Sequence, residues 1–198
     1  MTTRTHPVDA DDRLEALRAG DRAILSATLA ELAPDVRRWT FRLLGPVPHL
    51  DDAMQDVLIA LAGALPRHEG RSSLRTLAYR ITVRVVYRHL KKQRALRERE
   101  APLELLPPPA DRIDPESQVL HREALKRLYR CLDRMPERRR VAFVLCAIEG
   151  MTPGEAAAIE GVSGVTMRAR LWHARREIGR RLAKDPYVER LIERWRAE

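Results

Sequence analysis

Thr152-Pro153-Gly154-Glu155-Ala156-Ala157-Ala158-Ile159-Glu160-Gly161-Val162-Ser163-Gly164-Val165-Thr166-Met167-Arg168-Ala169-Arg170 is the stretch that decides the fold. It opens as a capping box. Thr152 sits at the N-cap, Pro153 takes the first helical position, where no donor is missed, and Glu155 reaches back to the cap. The short helix predicted over 153–160 is small on every side (Ala156, Ala157, Ala158), so a second helix can approach closely. Gly161 supplies the turn, and Ser163 caps the next helix. A short helix, a glycine turn and a longer basic helix make the helix-turn-helix arrangement, whose second helix enters a DNA groove. Along that second helix Met167, Leu171, Ala174, Ile178 and Leu182 form a core stripe. Ser163, Thr166, Arg168, Ala169, Arg170, His173, Arg175 and Arg176 make the DNA-facing set. Thr166, Arg168, Ala169 and Arg170 stand near the helix N-terminus, where side chains reach base edges; Arg175, Arg176 and Arg180 lie further along and suit phosphates.

Upstream, Val119, Leu120, Leu125, Leu128 and Leu132 predict an amphipathic helix over 116–135. Pro136 fits the first position of the next helix, which carries Val141, Val144, Leu145 and Ile148 and ends at Gly150. Before these lies a seam. Residues 101–115 hold Pro102, Pro107, Pro108, Pro109 and Pro115, five of the thirteen prolines of the chain. Each removes a backbone donor and clashes with a helical turn, so an extended linker is expected.

The half before the seam is also helical in pattern. Asp21 is a candidate N-cap, followed by Ile24, Leu25, Thr28, Leu29 and Leu32 at helical spacing. Pro34 is expected to interrupt, with Val36, Trp39, Leu43 and Leu44 continuing to Gly45. A second helix opens near Asp51 or Asp52 and turns Met54, Val57, Leu58 and Leu61 inward. Its Asp52, Gln55 and Asp56 share one face, an acidic patch suited to a basic protein partner. A third helix follows the 66–73 loop and runs to about Arg97, with two apolar stripes. Arg80, Arg84, Arg88 and Lys91 form a ridge between them, and Arg67 and Arg71 flank it from the loop. Such a row of cations meets the needs of phosphate contact.

The charge is distributed accordingly. The 198 residues carry +9 at a pI near 10.3, and 44% are hydrophobic. Residues 67–99 hold eleven basic residues against Glu69 and Glu98, and residues 163–184 hold seven against Glu177. The rest of the chain is therefore net acidic, and two basic blocks fit two contacts with one long polyanion. No apolar run approaches the roughly 20 residues of a membrane span. Asp9, Asp11, Asp12 and Glu15 exclude a secretory signal from the first 20 residues, so a cytoplasmic protein is expected. Cys131 and Cys146 form neither a disulfide framework nor a zinc site, and the six histidines show no metal spacing or nucleophile–base pairing. No catalytic residue, metal or cofactor is expected. The expected fold class is all-α, in two small helical domains joined by the Pro-rich linker.

Taken together, these motifs resemble the bacterial RNA polymerase sigma factors of the sigma-70 superfamily, in particular the small extracytoplasmic-function (ECF) group. Asp52-Ala53-Met54-Gln55-Asp56 is similar to the acidic signature of region 2.2. Arg71 to Ile81 resembles region 2.3, and His89-Leu90-Lys91-Lys92-Gln93-Arg94 the basic end of region 2.4. Leu132 to Phe143 resembles region 4.1, and Glu149 to Arg175 region 4.2. The resemblance implies an N-terminal tail (1–20), region 2 (21–97), a linker (98–118), region 4 (119–184) and a C-terminal extension (185–198). It implies that Asp52, Gln55 and Asp56 dock on core RNA polymerase. Arg67, Arg71, Ser72, Arg75, Arg80, Arg84, Arg88 and Lys91 would then hold the −10 element of promoter DNA, and the helix-turn-helix set the −35 element. Members are commonly held inactive by an anti-sigma factor, and the polymerase supplies the chemistry. Leu58, Ala62, Leu74, Leu77, Arg84 and Val165 depart from residues common in the group. A stand-alone helix-turn-helix regulator is the alternative, but it leaves the second basic helix without a role.

Overall fold

The computed structural model describes residues 10–97 and 125–182, all helix and connecting turns, with no strand among the described residues. In chain order these are α1 (Ala10–Arg18), α2 (Arg22–Leu44), α3 (Leu50–Ala64), a tight turn of helix at Leu65–Arg67, and α4 (Leu74–Arg97). Then follow α5, described over 125–133, α6 (Glu137–Phe143) with a wide turn over Val144–Ile148, α7 (Pro153–Glu160) and α8 (Gly164–Leu182). The expected linker 98–118, the first turns of the helix expected from 116, and the extension 185–198 lie outside the described residues.

α2 begins where Asp21 accepts from the backbone N–H of Ala23 (2.8 Å) and Ile24 (3.1 Å). Contrary to expectation, Pro34 does not break it, and one helix runs the whole 23 residues. Pro34 and Ala30, whose carbonyl loses its N–H partner, both lie on the exposed side, where water can serve that carbonyl. Leu32, Val36, Trp39 and Leu43 face inward against Val57 and Leu61 of α3 and both stripes of α4, of which Ala78, Ile81, Val83, Val85, Val86 and Leu90 are buried. The stretch expected to be an N-terminal tail contains α1, which packs its buried Leu17 onto this bundle.

Pro136 stands one place earlier than expected, as the cap of α6 rather than its first residue. Helix ends shift by a residue with small changes in geometry. The two halves share one continuous core. Arg140, with 2% of its side chain exposed, donates from Nε to the Leu43 carbonyl at 2.8 Å and pairs through Nη1 with Asp133 at 2.5 Å. The Tyr129 hydroxyl donates to the Arg42 carbonyl at 3.2 Å. The last turn of α2 leaves carbonyls without partners in its own helix, and the second half of the chain caps them. A Cβ at Gly45 would stand 2.5 Å from the Tyr129 ring, so only glycine admits this contact. Arg42 also pairs with Glu149 at 2.9 Å.

Candidate nucleic-acid interface

The helix-turn-helix forms as its sequence dictates. Thr152 Oγ1 accepts from the Glu155 N–H at 3.2 Å, and the Glu155 carboxylate accepts from the Thr152 N–H at 2.8 Å. The bonds that this carboxylate accepts from the Thr152 N–H and from the Thr152 hydroxyl (2.8 Å) hold the Glu155 carboxyl below its ordinary range. Gly161 takes the left-handed conformation (φ 67°, ψ 38°) that closes the turn. Ser163 Oγ then caps α8 by accepting from the Thr166 N–H at 3.1 Å. Ala156 and Ala157 let α8 approach, and Met167, Leu171, Ala174 and Ile178 are buried behind it.

Ser163, Thr166, Arg168, Ala169, His173 and Arg176 are exposed together on the outer face of α8. Arg170 and Arg175 stand apart from them. Arg170 is turned back toward α7, where its Nη1 meets Glu160 Oε2 at 2.5 Å with 14% of its side chain exposed. One residue beyond Ala169 is a 100° rotation, which carries Arg170 off the outer face. Arg175 is half-buried, and its charge offsets part of the rise that burial gives the Cys146 thiol. Two outer-face residues are missing from the DNA-facing set read from the sequence: Val165 is 68% exposed and Trp172 54%. Their spacing from Ala169 marks one face, but apolar residues on a helix are normally assigned inward. The Trp172 ring lies against the Arg176 guanidinium (5.2 Å) and edge-on to His173 (4.8 Å).

Along α4, Arg80, Arg84, Arg88 and Lys91 are all exposed, as the ridge requires. Arg80 and Arg84 line a groove of about 410 Å³ whose far wall is the end of α7. From the loop, Arg67 and Arg71 are exposed and Ser72 is half-buried. Arg71 pairs with Glu69 (2.6 Å); Arg75 pairs with Asp35 (2.7 Å) and lies over Trp39. Asp52, Gln55 and Asp56 project from α3, with Asp56 accepting from His89 Nε2 at 2.9 Å. Ile59, 64% exposed, falls within the same face, one more turn along.

Residues 29–96 match the Sigma-70 region 2 family, and residues 125–178 match Sigma-70, region 4. RNA polymerase sigma factor CnrH of Cupriavidus metallidurans is 30% identical over 187 residues, which span 91% of this chain and 98% of that protein. The chain belongs to the ECF group of RNA polymerase sigma factors. ECF RNA polymerase sigma factor SigE of Mycolicibacterium smegmatis is 28% identical over 169 residues, covering 83% of this chain and 65% of that relative. The fold is shared with the solved sigma factor RpoE in complex with the anti-sigma factor NepR from Bartonella quintana. There the TM-score is 0.60 at 20% identity, over 81% of this chain and 97% of that one.

In this sigma factor the matched regions meet at Glu160. The Tyr87 hydroxyl of α4 donates to the same carboxylate as Arg170, at 3.0 Å. The Glu160 side chain is 4% exposed, and burial holds its carboxyl above the ordinary range in spite of both donors. The folded state therefore keeps a proton that the unfolded state releases, and stability falls as pH rises from the ordinary carboxylate range through the raised value. Glu160→Gln is expected to lack that slope in urea unfolding between pH 4 and 7; an unchanged slope would contradict it. Burial also pushes the Cys146 thiol up to about 11, and Cys131 is buried. Among the described residues no cluster of three or more His, Cys, Asp or Glu could hold a metal ion, and no helix is long and apolar enough to cross a membrane.

Proposed function

We propose that this ECF sigma factor docks on core RNA polymerase through the exposed face of α3 and selects promoters through two DNA contacts. The 67–73 loop and the α4 ridge hold the opened −10 element, and the outer face of α8 reads the −35 duplex. The observation that carries this is the outer face of α8. Behind the Ser163 cap it presents Thr166, Arg168 and Ala169 exposed, with Arg176 beyond them and no acidic residue on that face. Residues in the first turns of such a helix reach base edges, and later cations meet phosphates. The sigma factor acts in the cytoplasm, where its polymerase is, and supplies no catalytic residue, metal or cofactor of its own. An anti-sigma factor is a further partner, supported by the solved complex of RpoE with NepR.

Run-off transcription with core polymerase and a promoter library tests the reading. Template-dependent starts downstream of a shared −10/−35 pair are expected; no binding to core under any condition overturns it. Tight duplex binding without polymerase would instead support the stand-alone regulator. Within that assay Arg168→Ala is expected to relax preference at one −35 base pair by about 1–3 kcal/mol. Equal loss on every sequence would make Arg168 a phosphate contact.

A further inference from the structure

The loop that joins α3 to α4 is braced by α1, which lies outside the residues matched to region 2. Leu17 of α1 is 1% exposed, and Arg13 pairs with Glu31 of α2 at 2.8 Å, so the helix is fixed on the bundle. Leu14 Cδ1 lies 3.3 Å from where a Cβ on Gly70 would stand. In the last turn, Arg18 turns two donors onto one loop carbonyl, that of His68: Nε at 3.1 Å and Nη2 at 3.0 Å. The His68 ring in turn donates from Nε2 to the Ser72 carbonyl at 2.7 Å. A chain of two side chains thus fixes the backbone of 68–72 while Arg67 and Arg71 stay exposed.

We propose that Arg18 is a positioning residue for single-stranded DNA capture. Its two-donor hold on the His68 carbonyl sets the loop shape in which Arg67, Arg71 and Ser72 receive the −10 strand. The proposal rests on the −10 reading given above. Extruding a base from the duplex is costly, and a loop that must also be ordered at that moment adds to the cost. A loop ordered beforehand removes that part and sharpens discrimination. Two of its guanidinium nitrogens end on the loop backbone, which assigns Arg18 a role through the loop. The contact is solvent-exposed, and its loss leaves no buried polar group unsatisfied; fold and loop shape are therefore separable.

The test uses the full chain bound to core polymerase. The probes are non-template-strand DNA oligonucleotides carrying either the −10 sequence selected in the run-off library or its scrambled form. Arg18→Met keeps the length and apolar stem but removes the donors; Arg18→Lys restores one charged donor. Arg18→Met is expected to reduce discrimination between the two oligonucleotides about tenfold, with Arg18→Lys in between. Affinity for −35 duplex, affinity for core and the thermal midpoint should stay at wild-type values. Wild-type discrimination by Arg18→Met overturns the proposal. So does a fall of all readouts together with the thermal midpoint, because it leaves Arg18 a structural role alone. A wild-type complex that does not distinguish the oligonucleotides overturns the −10 reading, and the proposal with it.

Discussion

Asp56→Arg is expected to weaken association with core RNA polymerase by about 100-fold or more, since like charges brought together at an interface cost several kcal/mol. Asp56 projects from α3 beside Asp52 and Gln55 with Ile59 exposed in the same face, so the substitution reverses charge at the middle of the patch. It also removes the acceptor of the His89 ring. Asp52→Arg, on the same face, separates the two effects: it reverses charge and leaves His89 and Asp56 paired. Neither position contributes to the core of the first module, so the thermal midpoint should hold. Co-purification with core at increasing salt is the measurement, because contact between exposed charges weakens as salt screens it. Full retention of core by the double variant Asp52→Arg, Asp56→Arg would remove α3 as the docking face.

Arg140→Ala is expected to destabilise the protein by about 3–5 kcal/mol, the cost of breaking a buried ion pair from one side. The Asp133 carboxylate, mostly buried, loses its Nη1 donor, and the Leu43 carbonyl at the end of α2 loses Nε. The double variant Arg140→Met, Asp133→Leu should recover part of the loss, because it also removes the mostly buried carboxylate that Arg140 neutralises. The urea midpoint at constant slope reads both effects. A single variant within 1 kcal/mol of wild type would show that Arg140 does not join the two regions.

Local rules carried the sequence analysis where a feature depends on residues a few places apart. The Thr152–Glu155 box, the Gly161 turn and the Ser163 cap are each complete within four residues, and all three form as expected. The α4 ridge follows from helical spacing, and its four cations are exposed. What stayed illegible depends on partners distant in the chain. Nothing near Arg140 says that its acceptor is 97 residues away, and nothing near Arg170 says that Glu160 also serves Tyr87. Arginine looks the same in sequence whether it faces DNA or a buried carboxylate. Pro34 misled for the opposite reason: the local rule against proline in helices is real, but exposure of the freed carbonyl softens it. Ile59, Val165 and Trp172 are absent from the sets of contact residues read from the sequence, because those sets, Ala169 apart, are built from polar and charged side chains, whereas an interface needs some apolar ones outside.

The placement of the tryptophans has an optical consequence. Trp39 is buried against Tyr79 in the first module, and Trp172 stands in solvent between His173 and Arg176 on the outer face of α8. A duplex seated on that face changes the surroundings of one indole and leaves the other in its apolar setting. The described part of the chain thus contains a built-in fluorophore at the contact and an internal reference away from it. The third tryptophan, Trp195, lies outside the described residues, so Trp195→Phe leaves these two, and occupancy of the −35 site can then be followed without a label against the emission of Trp39.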